Sequence, residues 1–192
     1  MKQIFLTLLV ASLIAASAYG DSLTLDLFPS GTVSGAAGTV VGWGYNIANN
    51  DPSNWAVLND SFVTGALSTG TFGTYQDYIG SNFIVIGPSS NTGNVAFSQG
   101  STGTGEFDID MFVPPMTITG DINIDYTLFA QDPNDPNFDP ASFIVSGTIS
   151  ADAQVDVPSS VPEPASVGLT LAALLCGGIV LCRRRAVETA TR

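Results

Sequence analysis

The side chains able to do chemistry in this sequence are almost all carboxylates. Glu106, Asp108 and Asp110 fall at alternate positions, as do Asp121, Asn123 and Asp125. On an extended strand each set shares one face, and two acids held across a sugar are what a glycoside hydrolase needs. Other catalytic arrangements are excluded. The chain has no histidine, and its only lysine is Lys2. Both cysteines, Cys176 and Cys182, lie in a late apolar run and are six apart, a spacing that does not bring them together on one helix face. A Ser-His-Asp or Cys-His nucleophile cannot be assembled, nor can a zinc site of histidines or cysteines. Alternating acids are equally what the wet face of a half-buried strand carries, and no arginine is at hand to clamp an anionic substrate. A carboxylate-dependent hydrolase therefore ranks last among the readings, and the sequence points to a protein that is not an enzyme.

Ligand binding has two candidates. Asp132, Asn134, Asp135, Asn137 and Asp139 crowd hard oxygen donors into a proline-rich loop, and Ca²⁺ takes six to eight such oxygens. The loop lacks the central glycine and closing glutamate of an EF-hand, and Asp-Pro and Asn-Pro steps build turns without any metal. The other candidate is aromatic. Trp43 and Tyr45 alternate with glycines and share a face with Val41 and Ile47, which assigns them to a core. Trp55 and Tyr78 lie beside turn residues and are the expected exposed aromatics, suited to stacking on a glycan.

The elements that must position these residues are strands. Leu23, Leu25 and Leu27 share one face, and Ile122, Ile124, Tyr126 and Leu128 oppose Asp121, Asn123, Asp125 and Thr127. Further runs are 55–58, 61–66, 82–86, 94–98, 107–113 and 142–157. Turn-forming clusters at 49–52, 87–88, 91–93, 100–105 and 132–140 separate them. No stretch between 21 and 157 keeps apolar residues at helical spacing for three turns. The expected fold is all-β, an antiparallel β-sandwich of immunoglobulin-like or jelly-roll type, with strand order open.

Charge is distributed unevenly. The 5 basic residues are Lys2, Arg183, Arg184, Arg185 and Arg192, and removing Glu188 from the 17 acidic ones leaves 16 between Asp21 and Cys182. That region is a polyanion with no internal ion pairs. It cannot neutralise phosphates, which excludes nucleic acid and anionic lipid as partners, while it favours solubility and attracts divalent cations.

Both ends carry export signals. Lys2 and an apolar run over 4–16 are followed by Ala18-Tyr19-Gly20, with Ala16-Ser17-Ala18 as a competing cleavage site for signal peptidase. The expected organisation is a signal peptide at 1–20, a sandwich at 21–157, a linker with a Pro-Glu-Pro motif at 158–164, a membrane helix at 165–182 and a basic cytoplasmic tail at 183–192. The 165–182 run is uncharged, and at ~1.5 Å per residue it covers most of a ~30 Å hydrocarbon core. Arg183, Arg184 and Arg185 follow at once and set that end in the cytoplasm. Pro162 and Pro164 keep the preceding peptide extended.

Val161, Pro162, Glu163 and Pro164, then the apolar helix, then the three arginines, together resemble the PEP-CTERM sorting domain over about the last thirty residues. The middle of the chain, with GWGYNIANNDPSNW at 42–55 and YQDYIGSNFIVIGP at 75–88, also resembles the ectodomains that accompany such tails. The resemblance implies an exported Gram-negative protein, recognised by an exosortase in the inner membrane and associated with extracellular polysaccharide or surface matrix. The expected function is a non-enzymatic surface or matrix protein without a cofactor. The alternative is a carbohydrate-binding or adhesive module, Ca²⁺-dependent if the 132–139 loop holds the ion.

Overall fold

The computed structural model describes residues 22–159. The expected signal peptide, the sorting motif Val161 to Pro164, the membrane helix and the arginines 183–185 lie outside the described residues. Among those described there is no α-helix, and no helix is long and apolar enough to cross a membrane.

Ten strands follow in order: β1 (Leu23–Phe28), β2 (Thr32–Ser34), β3 (Val40–Asn49), β4 (Trp55–Val63), β5 (Gly73–Asp77), β6 (Ile84–Ile86), β7 (Ser90–Asn91), β8 (Gly105–Ile109), β9 (Met116–Phe129) and β10 (Phe143–Val157). They form two five-stranded sheets. The first runs β1-β3-β8-β5 with β7 also on β3, and the second runs β2-β10-β9-β4-β6. Inward side chains of both sheets, among them Trp43, Ile47 and Phe107 from the first and Ile118, Ile122, Ile124 and Leu128 from the second, join in one buried cluster. The molecule is thus an all-β structure of two packed sheets, as the alternation of apolar and polar residues requires.

β3 shows how sequence dictates this packing. Val41, Trp43, Tyr45, Ile47 and Asn49 share the core face and are all buried. On the other face stand Gly42 and Gly44. A Cβ at Gly42 would lie 2.2 Å from the Phe97 ring, and one at Gly44 would lie 2.3 Å from the Val95 carbonyl oxygen. Those glycines let residues 95–97 close over β3, where Tyr45 and Val95 exchange backbone hydrogen bonds of 2.9 and 2.8 Å. Trp43 also reaches the other sheet. Its Nε1 donates to the Gly31 carbonyl at 2.9 Å, just before β2.

Several expectations need correction. The run 55–58 and the first part of 61–66 form one strand, β4, which ends at Val63 and whose register shifts between Leu58 and Asp60 against β9, so Asn59-Asp60 marks a bulge within it. The run 94–98 makes only isolated bridges, and 107–113 ends early, because Asp110 turns the chain by accepting the Phe112 N–H. β2, β5 and β7 were not anticipated, being short or weakly apolar. The sheets are not wholly antiparallel either. β2 lies parallel to β10, since the chain passes from β1 to the second sheet through residues 29–31 and reaches the end of β10 running in the same direction.

Asn49 is the polar pivot between the sheets. It is 1% exposed at the end of β3, where the chain leaves the first sheet for β4 in the second. Its Nδ2 is within 2.8 Å of the Asn54 carbonyl, 3.0 Å of Gly87 and 3.3 Å of Ile86, and its Oδ1 accepts the Asp51 N–H at 3.1 Å. Asp51 then caps the turn, its Oδ1 accepting from the backbone of Ser53 and Asn54 and its Oδ2 from the Asn54 amide. Asn49→Ala leaves buried carbonyls without donors and is expected to cost about 2–3 kcal/mol of unfolding free energy. Denaturant titration checks this, a loss under about 0.5 kcal/mol counting against the pivot role.

Candidate functional site

The densest polar cluster in the described residues joins β4 to β5 and to Thr104, the residue preceding β8. Ser61 is 5% exposed and Thr104 fully buried. The Ser61 Oγ lies 2.8 Å from the Tyr75 hydroxyl and 2.6 Å from the Thr104 carbonyl, and contacts Asp77 Oδ1 as well. With one proton it donates to one of the last two and accepts from Tyr75. Asp77 is further held by backbone donors: Ser61 at 3.0 Å and Ile79 at 2.8 Å to Oδ1, and Gly80 at 2.8 Å to Oδ2. Burial is the main reason the Tyr75 phenol is pushed up to about 12, against the lowering effect of hydrogen bonds with Ser61 and Thr104. Tyr75 therefore remains a neutral donor at physiological pH.

A serine beside a carboxylate has the look of two members of a hydrolytic triad. The member that would carry the proton is missing, because the chain has no histidine. The hydroxyl is also turned into the protein, though Ser61, Tyr75 and Asp77 border a depression of about 380 Å³ that Phe62, Leu67 and Ser68 help to line. What this arrangement does is tie an inner strand of the second sheet to an edge strand of the first. A second cluster lies close by in sequence. The Tyr78 hydroxyl donates to Glu106 Oε2, and the Gly100 N–H reaches both the Tyr78 oxygen and, at 3.1 Å, Glu106 Oε2. Burial first, and then the bond to Glu106, raise the Tyr78 phenol above its usual value.

No family model matches this chain, and no curated protein does. Among solved structures it is similar to WR4, a C. elegans MSP family member, at 11% identity and a TM-score of 0.30, over 70% of this chain and 97% of that one. At that TM-score the likeness adds nothing to the strand pairing described above.

The residues singled out from sequence are not brought together. Tyr78 is 5% exposed and tied to Glu106, so it offers no ring for a glycan. This corrects the expectation, and the reason is that residues 98–102 fold over it. Trp55 is half-buried at the start of β4, its ring within 3.2 Å of where a Gly87 Cβ would stand. The aromatic contacts among the described residues are instead Phe129 with Phe138 and with Phe143. Glu106 and Asp108 do share a face of β8, but Asp110 lies beyond the strand end. Asp108 and Asp110 line a shallow depression of about 400 Å³ with Gly38, Thr74 and Met111. In the 131–142 loop, Asp132 Oδ1 accepts from the Asn134 N–H, Asp135 Oδ1 from Asn137 and Asp139 Oδ1 from Ala141, each at 2.8 to 2.9 Å through the backbone. One oxygen of each carboxylate thus shapes its own turn, and no group of three acids among the described residues converges on a point.

Ser61, Asp77 and Asn49 went unrecognised in the sequence, and only the density of polar residues around 75–82 and 49–54 hinted at them. Two carboxyls near these residues, Asp60 and Asp51, are shifted. At Asp60, partial desolvation and then the charges of Asp125 and Asp77 raise the carboxyl above its usual range. A raised acid favours the folded state most when protonated, so its contribution is complete below the unfolded value of about 3.9 and is lost as pH rises through the folded one. At Asp51 desolvation also raises, but hydrogen bonds from Ser53 and Asn54 outweigh it and lower the carboxyl; that contribution is present above the unfolded value and lost as pH falls through the folded one. The Asp60 contribution is expected to raise the melting temperature as pH falls toward the unfolded value, and the Asp51 contribution to be lost below it. Asp60→Asn should flatten the climb, and calorimetry showing an unchanged slope would remove Asp60 as its source.

Proposed function

We propose that this is an exported, non-enzymatic surface or matrix protein that serves as the substrate of an exosortase. The observation that carries the reading is the ordered tail: Val161, Pro162, Glu163 and Pro164, then the uncharged run 165–182, then Arg183, Arg184 and Arg185. In this reading the tail holds the chain in the inner membrane with its bulk outside, and the extended Pro-Glu-Pro peptide is presented for processing. The acidic part then joins the cell surface or the extracellular polysaccharide.

The described residues support this in two ways. β10 ends at Val157, four residues before Val161, so the motif follows directly on the last strand. The strongest polar clusters are spent on holding sheets and turns. The finer fold assignment belongs here too: within the all-β architecture we favour an immunoglobulin-like or jelly-roll sandwich followed by one membrane helix.

Mass spectrometry of the protein recovered from its native host tests the sorting step. The mature C-terminus is expected between Val161 and Ala165. Intact chains ending at Arg192, in cells whose exosortase is active, would count decisively against processing.

A further inference from the structure

β10 has an open side along most of its length. On one side it pairs with β9 from Phe143 to Val157, while on the other β2 covers only Gln154, Val155 and Asp156. Which backbone groups face outward follows from three hydrogen bonds. Gln154 donates to the Gly31 carbonyl and Asp156 accepts from Gly35, so even-numbered residues of β10 point toward the β2 side; Thr64 donates to Asp121, so odd-numbered residues of β9 point toward β4 and even ones toward β10. By the two-residue period of a strand, the N–H and C=O groups of Ser146, Thr148 and Ser150 project past the edge with no strand beside them among the described residues.

Other edges are blunted in the ways sheets commonly use. β1 carries Asp26 and runs into Pro29. β2 and β6 have three residues each, and Pro88 follows β6; β5 has five residues and carries Asp77. β10 has none of these devices. Residues 141–151 contain no charge and no proline, and Phe143 and Ile144 at their start are 52% and 38% exposed.

We infer that this edge is a self-association surface, where β10 of a second copy adds antiparallel to residues 144–152. Charge decides the occupant. The chain carries a net charge of −12, so two copies repel wherever carboxylates meet, and the uncharged strip is where they approach without opposing them. A strand added from a basic partner would find no carboxylate on residues 141–151 themselves, and the nearest one, Asp125 on β9, is already held by the Thr148 hydroxyl. A two-fold contact also needs a self-complementary patch. Pairing centred on Thr148 sets Thr148 against its own copy and Ser146 against Ser150, small uncharged side chains whose hydroxyls at Thr148 and Ser146 already bond to Asp125 and Thr127 of β9. Asp152 then faces Ile144 of the other copy, not another acid. The register stops where β2 begins, because the Asp152 carbonyl already lies 2.5 Å from where a Gly31 Cβ would stand.

Amide hydrogen exchange of the full-length chain in detergent, read residue by residue, tests this. Between about 1 and about 100 µM protein, protection at Ser146, Thr148 and Ser150 should rise at least tenfold, while Gly147 and Ile149, bonded to β9, stay protected throughout. Rates at the three edge amides that do not change with concentration overturn the inference. So does protection already complete at the lowest concentration, which would mean that another part of the chain holds the edge. Thr148→Pro removes the central outward N–H and should abolish the concentration dependence with Gly147 and Ile149 still protected; a variant that folds and keeps the dependence would also overturn it. If that variant fails to fold, the unsubstituted chain decides alone.

Discussion

The structure depends on satisfying carboxylates without cations. Between Asp21 and Cys182 there is no basic side chain, so the favourable contacts available to an acid are neutral donors. The described residues use all the available kinds. Backbone N–H groups hold Asp51, Asp77, Asp132, Asp135 and Asp139. Hydroxyls hold others: Thr64 donates to Asp121, Thr117 to Asp156, Thr148 to Asp125 and Tyr78 to Glu106. Hydrogen bonds to a charged acceptor are stronger than neutral ones, and they fix geometry where an exposed ion pair contributes little. Thr117 of β9 and Thr148 of β10 follow from the same constraint, each suiting a strand by its β-branch and supplying a donor to an acid on the neighbouring strand.

This constraint explains why the strongest polar clusters read as structure. A catalytic acid or base needs an accessible partner and a second group to tune it. Asp77 is committed to Ser61, Ile79 and Gly80, and Glu106 to Tyr78 and Gly100. Both join segments distant in sequence, which is the task disulfides or ion pairs serve in many secreted domains. Here hydrogen bonds from uncharged donors fill that role, with Asn49 at the end of β3 holding the turn that carries the chain between the sheets.

Strand faces were legible in the sequence wherever period-two alternation ran for four residues or more, as in β1, β3 and β9. That pattern reports one side facing a core, and the buried Ile122, Ile124, Tyr126 and Leu128 follow it. What was not legible had physical reasons. β2 and β7 are too short to carry a pattern and exist through pairing with distant strands. β4 read as two separate runs because Asn59-Asp60 interrupts the apolar pattern, while the neighbouring strand β9 holds the chain extended. Tyr78 looked exposed from its polar neighbours; the return of residues 98–102 over it, closed by the bonds between Ser98 and Thr102, left no local trace. The polar clusters were hidden for the same reason, since Ser61, Tyr75, Asp77 and Thr104 meet only through long-range pairing.

The last strand links the fold to the proposed sorting route. Its end is the best-held part of β10: Ala153, Val155 and Val157 are buried, Met116 to Thr119 of β9 pair on one side, and β2 pairs on the other through Gln154, Val155 and Asp156. A chain tethered through its C-terminus is thus anchored at a strand gripped from both sides rather than at a frayed edge. Every described core residue also lies upstream of Pro158. Earlier in the same strand the grip is one-sided, and the neutral edge there is the face a polyanion can offer to a second copy of itself with the least electrostatic cost.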